Sequence, residues 1–151
     1  MEIIQAQTEH ANDVAVLFDL YRQFYEQPAD LTLAQDYISS RVSNQESIIY
    51  VAYEGAQAVG FVQLYPSFCS VQASKILILY DLYVAAEHRQ NGIGEALMNR
   101  ATALAKESGA ARLDLLTGKD NIPGQSLYEK LGYEKANEGF FAYSLQVAPS
   151  S

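Results

Sequence analysis

The stretch that most constrains this chain is residues 81–97. An apolar strand ending in Asp81, Leu82, Tyr83 and Val84 runs into a short polar loop, then turns on Gly92 and Gly94 into an amphipathic helix. A strand that feeds a glycine turn and then a helix aims several backbone N–H groups at one point, together with the positive end of the helix dipole. That geometry suits a phosphate or pyrophosphate. Spacing excludes two common versions of it. A P-loop needs Gly-Lys-Ser/Thr, whereas Gly94 is followed by Glu95 and Ala96. A dinucleotide fingerprint needs a small residue three places after Gly94, and Leu97 stands there. What remains is Arg89-x-x-Gly92-x-Gly94 after a strand, which as a hexad alone also fits an ordinary turn whose glycines supply positive φ.

Composition narrows the setting. With 151 residues the chain is large enough to bury one core without staples, so a single domain is expected over residues 1–148, with 149–151 as a flexible end. No apolar run approaches the ~20 residues that span a bilayer, and the N-terminus lacks a basic-then-apolar signal pattern. Cys69 is the one cysteine and has no internal disulfide partner, so a cytoplasmic setting is expected. The formal charge of −8, from 18 acidic and 10 basic residues, argues against nucleic acid or an anionic membrane as partner and suits a small cationic substrate.

Periodicity gives the elements. Residues 2–6 read as a short strand. Thr8 is a candidate N-cap for a helix whose buried face carries Val14, Leu17, Phe18, Tyr21, Phe24 and Tyr25, ended by Pro28. Thr32 with Gln35 reads as a capping box for a second helix with Tyr37, Ile38 and Val42 on its apolar face. Residues 48–53 and 58–65 are β-branched and aromatic runs around a Glu54-Gly55 turn, hence a hairpin. A polar loop is expected over 66–74, a strand buried on both faces over 75–84, and a helix from the glycine turn to Gly109. A strand over 112–117, a short helix over 121–131 and a closing strand over 139–147 complete the order β-α-α-β-β-β-α-β-α-β-β.

Two blocks in this order carry a resemblance. The first is the Arg89–Gly94 hexad after its strand. The second is Leu113-x-Leu115-x-Thr117, Asp120-Asn121, and Ser126-Leu-Tyr-Glu-Lys-Leu-Gly-Tyr133, in which Asn121 stands seven residues before Tyr128. Together they resemble the GCN5-related N-acetyltransferases over essentially the whole chain. The resemblance implies an α/β (α+β) fold, a mixed and mostly antiparallel sheet flanked by helices, with acetyl-CoA as cosubstrate and no metal. It also makes a homodimer expected, with the Tyr/Phe-rich final strands as an interface.

The resemblance assigns roles residue by residue. Backbone N–H groups of Arg89, Gln90 and Asn91, then Gly92, Ile93, Gly94 and Glu95, would cradle the pyrophosphate. Leu82, Tyr83 and Val84 would pair with the pantetheine arm, and the Val84 N–H would be the oxyanion donor. Asn121 would bind the pantetheine amides, or cap its own helix, or both. Tyr128 would be the general acid, because a phenol near pKa 10 is protonated at neutral pH and can assist a departing thiolate. Its alternative is one more aromatic in a chain of 11 tyrosines. Glu95 departs from the many relatives with a neutral or basic residue there, so it is expected to point into solvent and to weaken cofactor binding somewhat.

Asp81 is the one charge among residues 76–84, and a buried carboxylate needs a partner or a purpose. Related small-amine enzymes often carry a Glu-Asp pair at these two positions, and here Tyr80 replaces the first. Asp81 would anchor the ammonium or relay its proton, or it would cap a loop. Glu26 and Asp30 are candidate amine-recognising acids, with Tyr25 and Phe68 as walls, against the reading of solvated surface charge. Cys69 lacks a histidine partner, His88 is read as exposed loop, and His10 and His88 are too far apart in sequence for a metal site. The expected activity is direct acetyl transfer from acetyl-CoA to a primary amine of a small molecule, polyamine-like or amino-acid-like. The alternatives are a non-catalytic acyl-CoA sensor, motivated by Tyr80 and Glu95, and an enzyme acting on protein N-termini or lysines.

Overall fold

A computed structural model describes residues 1–136 and 139–148; the expected flexible end at 149–151 lies outside the described residues. The chain divides into two compact units, Met1–Leu116 and Thr117–Ser151.

The first unit is built on a five-stranded sheet ordered β1-β2-β3-β4-β5, formed by β1 (Glu2–Gln5), β2 (Ile48–Glu54), β3 (Gln57–Cys69), β4 (Ser74–Val84) and β5 (Leu113–Leu115). The first four strands are antiparallel neighbours, and β5 runs parallel to β4. Helices α1 (Ala11–Phe24) and α2 (Leu31–Ser43) cover one face, where Val14, Leu17, Phe18, Ala34 and Ile38 bury against Ile49, Val51 and Phe61. Helix α3 (Ile93–Glu107) covers the other, because strand alternation sends Gly60 to the face opposite Phe61 and there it meets Ile93 and Leu97.

Several expectations shift by a few residues for local reasons. Thr8 does not cap α1: residues Thr8–His10 form a 3-10 turn, and the Gln7 N–H donates to His10 Nδ1 at 2.9 Å. Helix α2 opens on Asp30, whose carboxylate accepts the Leu33 N–H at 3.1 Å, so Thr32 lies inside the helix and the expected capping box is absent. The aspartate two residues earlier starts the helix sooner and caps its first turn, which places Thr32 in the helix interior. Strand β3 runs on through Pro66 to Cys69, leaving a four-residue turn where a longer loop was expected. The ladder to β2 ends at Leu64, so Pro66 stands where β3 has become an edge and its missing N–H breaks no bond.

The second unit contains α4 (Ile122–Lys130), opened by Asn121 and ended at Gly132 with φ +95°. The closing strand expected over 139–147 is not formed among the described residues. Phe140, Phe141, Tyr143, Leu145 and Val147 are each at least 80% exposed. An alternating pattern makes a strand only where an edge pairs with it.

Gly60 is a point of close approach. A Cβ there would lie 3.1 Å from the Tyr83 carbonyl oxygen and 3.3 Å from Ile93 and Leu97 side-chain atoms. Gly60→Ala is therefore expected to destabilise the fold by about 1–3 kcal/mol through overpacking against backbone, read as a lower midpoint in urea at unchanged m-value.

Candidate active site

One extra residue sets up the site. Gln63 pairs with Asp81 while Leu64 pairs with Leu79, so Tyr80 is a β-bulge in β4. Without it, Asp81 would share a face with Leu79. With it, Asp81 joins Phe61, Gln63 and Tyr83 on the face covered by α1, while Tyr80 is 60% exposed. Asp81 is only 7% exposed, and its Oδ2 accepts a hydrogen bond from Gln63 Nε2 at 2.7 Å. Gln63 is fully buried, and its Oε1 accepts from Ser47 Oγ at 2.7 Å. Tyr21 from α1 also hydrogen-bonds the Asp81 carboxylate and reaches the Tyr80 carbonyl at 3.4 Å.

Aromatic rings surround this acid. Tyr21 meets Phe61, Tyr83 and Tyr25 edge-on, and Tyr65 meets Tyr80 at 5.6 Å while its hydroxyl pairs with that of Tyr37 at 3.0 Å. Ring faces attract cations, and two here already do so, with Arg41 over Tyr37 at 4.4 Å and Arg89 over Tyr83 at 5.3 Å.

The strand beyond Asp81 is open on one side. β4 pairs with β3 as far as Val84 but with β5 only from Leu77 to Leu79, so among the described residues no strand continues the parallel ladder beside Tyr80–Val84. The 3-10 turn Ala86–His88, with His88 half-buried rather than exposed, then leads to the loop before α3. Gln90 has φ +65° and Gly92 +79°. For Gln90 the left-handed conformation costs about 1–2 kcal/mol. Gly92 is the N-cap of α3 and offers no capping side chain, in contrast to Asp30 of α2 and Asn121 of α4. The first helical bond is Ala96 N–H to the Gly92 carbonyl, so the Ile93 and Gly94 N–H groups precede any intrahelical acceptor. An exposed, glycine-turned helix start of this kind fits a pyrophosphate.

Arg89 is directed elsewhere than the loop backbone. Its Nε donates to the Val84 carbonyl at 2.8 Å, and its guanidinium lies 5.3 Å from the Tyr83 ring centre and 6.0 Å from that of Phe24. Glu95 is half-buried in the first turn of α3, not wholly in solvent, and its charge complements the helix dipole. Leu82, Tyr83 and Val84 are half-buried, and Gln90 and Asn91 are exposed.

The proposed substrate residues scatter. Tyr25 stacks edge-on with Tyr21 at the C-terminal end of α1, one ring removed from Asp81. Glu26 is exposed at φ +64°. Asp30 is occupied as the α2 cap, and its N–H donates to the buried Asp19 at 2.9 Å. Phe68 is 75% exposed, on the opposite face of β3 and five residues along from Gln63, roughly 16 Å at the usual strand rise. Cys69 sits beside Arg112 at the end of β3; hydrogen bonds from the Gln72 backbone and Arg112 lower its pKa. Among the described residues no cluster could hold a metal ion.

In the second unit Asn121 acts as a cap: its Oδ1 accepts the Gly124 N–H at 3.2 Å and its Nδ2 donates to Thr117 Oγ1 at 3.1 Å. Tyr128 is half-buried, with the Tyr133 ring 6.1 Å away. Burial raises the Tyr133 pKa, and its hydroxyl has no hydrogen-bond partner among the described residues.

Gln63, Ser47 and Tyr21 are connected to Asp81 by hydrogen bonds, and sequence reasoning did not single them out. Gln63 carried a signal: it is the one strongly polar side chain within 58–65, as Asp81 is the one charge within 76–84. Burial pushes the Asp81 carboxyl above the usual carboxylate range, and hydrogen bonds from Gln63 and Tyr21 oppose that shift. A raised folded-state pKa means that this group's contribution to stability is complete below the unfolded value and is lost as pH rises through the folded one. Asp81→Asn is therefore expected to melt a few degrees above the wild type at pH 8, the gap closing toward pH 4. A gap independent of pH in parallel thermal melts would show that the carboxylate charge is not its cause.

The model of the acetyltransferase (GNAT) family matches residues 14–133. A Bacillus subtilis (strain 168) protein, the uncharacterized N-acetyltransferase YhfO, is 43% identical over 147 residues, covering 97% of this chain and 98% of its own. Human N-acetyltransferase 8 is 30% identical over 128 residues, 83% of this chain, which spans only 56% of that protein. A crystal structure of a probable acetyltransferase has a TM-score of 0.90 at 35% identity, with 99% of this chain and 100% of that one covered. An aminoglycoside N-acetyltransferase in complex with CoA shares the fold at a TM-score of 0.80 and 16% identity, over 95% of this chain and 93% of that one. No helix of the described residues is long and apolar enough to cross a membrane. From the family match across most of its length, the sheet topology and the glycine-turned start of α3, this chain belongs to the acetyltransferase (GNAT) family and is an acetyl-CoA-dependent N-acetyltransferase.

Proposed function

We propose that the enzyme acetylates the primary amine of a small cationic molecule, polyamine-like or amino-acid-like, by direct transfer. The observation that carries this reading is a buried acid, Asp81, set among aromatic rings next to the open edge of β4. An ammonium group is recognised by both features at once, by the charge and by the ring faces. The net charge of −8 supports the same class of acceptor.

In this reading acetyl-CoA, when bound, supplies a thioester carbon and a thiolate leaving group. The backbone from Arg89 to Glu95 holds its pyrophosphate at the uncapped start of α3. Leu82, Tyr83 and Val84 present strand hydrogen-bonding groups to the pantetheine arm, and the Val84 N–H donates to the developing oxyanion. Asn121 adds amide contacts to its capping role. Asp81 binds the acceptor ammonium and takes up its proton directly or through water; its raised pKa brings it closer to that of the amine. Tyr128 donates a proton to the departing sulfur. Tyr25, Glu26 and Asp30 border the acceptor side, and Phe68 has no part in it.

We assign the reaction to the cytoplasm, in keeping with one free cysteine. A homodimer is supported by the exposed apolar series from Phe140 to Val147. Sedimentation of the full chain tests it, a single species at 16.7 kDa counting against a dimer.

The activity test is release of free thiol from acetyl-CoA at pH 8 across polyamines, amino acids, aminoglycosides and a lysine peptide. Turnover confined to one small-amine class is expected, and turnover on the peptide alone would replace it with a protein acceptor. Tyr128→Phe is expected to lower kcat about 10²–10⁴-fold with little change in the acetyl-CoA KM. Full turnover of that variant at every pH would remove Tyr128 from the acid role.

A further inference from the structure

A chain of polar side chains runs inward from the sheet margin to Asp81, and nothing in the family assignment accounts for it. Ser47, half-buried just before β2, donates its hydroxyl proton to Gln63 Oε1 at 2.7 Å. Gln63, fully buried in β3, donates through Nε2 to Asp81 Oδ2 at 2.7 Å. A buried glutamine amide can face a carboxylate by either end, and only the NH₂ end is attractive. The ionised Asp81, an acceptor only, takes the NH₂ end, and the Ser47 hydroxyl donates to the carbonyl end that is left. The β-bulge at Tyr80 puts the two chains of the relay in register.

We propose that Ser47 and Gln63 are positioning residues that fix the Asp81 carboxylate for the acceptor amine, Gln63 by occupying Oδ2 and Ser47 by holding the far end of the Gln63 amide in place. The proposal rests on the reading of Asp81 as the amine-facing acid. A hydrogen bond donated to a carboxylate favours its ionised form, so the relay keeps a buried acid available as an anion. The other groups facing Asp81 are Tyr21 on α1 and Tyr65 on β3, with Tyr37 and Arg41 of α2 behind Tyr65. Burial pushes Tyr65 well above its ordinary range, so it stays uncharged through the pH interval in which Asp81 titrates.

The test uses Gln63→Met, which keeps length and loses the N–H, and Ser47→Ala, a milder change at the margin of the sheet. Two readouts are followed on the full-length enzyme: the Asp81 ¹³Cγ titration, assigned with Asp81→Asn, and the pH profile of kcat/KM for the amine found in the panel. In Gln63→Met the Asp81 midpoint is expected to move up. With it, kcat/KM at pH 7 falls about tenfold and recovers largely by pH 9. Ser47→Ala should shift both in the same direction by less, and it carries the test if Gln63→Met does not fold. An unmoved Asp81 midpoint in the folded variants overturns the relay while leaving the role of Asp81 intact. A moved midpoint with an unchanged rate profile overturns the amine-facing reading of Asp81, and the positioning role falls with it. A uniform loss of kcat at all pH values, with the midpoint unmoved, marks Gln63 as packing only.

Discussion

Everything distinctive about this site depends on the bulge at Tyr80. Strand alternation is a rigid rule, and a chain that kept it would leave Asp81 on the same face as Leu79, packed toward α3. One unpaired residue reverses the faces downstream. It moves Tyr80 outward, carries Asp81 under α1 and opposite Gln63, and leaves Leu79 in the apolar layer. The acid, its hydrogen-bond partners and the surrounding rings meet because of a single break in the ladder.

A second constraint is where the sheet stops. β5 is three residues long and reaches only Leu79, so among the described residues the half of β4 that carries Asp81 and Val84 has a strand on one side only. The helix that follows begins on a glycine without a capping side chain. Both places present backbone groups that the fold itself leaves to other partners, and burying them without partners would be costly. The pattern suits an enzyme whose donor substrate is held mainly by main-chain atoms.

Much of this was legible in the sequence. The glycine turn, the strand before it and the helix after it followed from spacing, and α4 begins on Asn121 and ends at Gly132 as its end signals indicate. Asp81 stood out as a charge in an apolar strand and is buried. Caps were less legible: Thr8 is taken into a 3-10 turn and α1 starts without a side-chain cap, while Asp30 caps α2 two residues ahead of Thr32. The bulge was not legible at all: nothing near Tyr80 marks an extra residue, and only cross-strand pairing reveals it. Gln63 was visible as a polar residue but not as the partner of Asp81, since that depends on register. The closing strand is the converse case: its alternation is clear, yet the described residues 139–148 form no strand.

Arg89 ties the two functional halves of the first unit together. Its side chain joins the loop before α3 to the Val84 carbonyl at the end of β4 and lies against rings of Tyr83 and Phe24. The loop is thereby fastened at its root to the strand that carries the acid and to the helix that roofs it. A loop anchored at its root has less conformational freedom to lose, which lowers the entropic cost of ordering it.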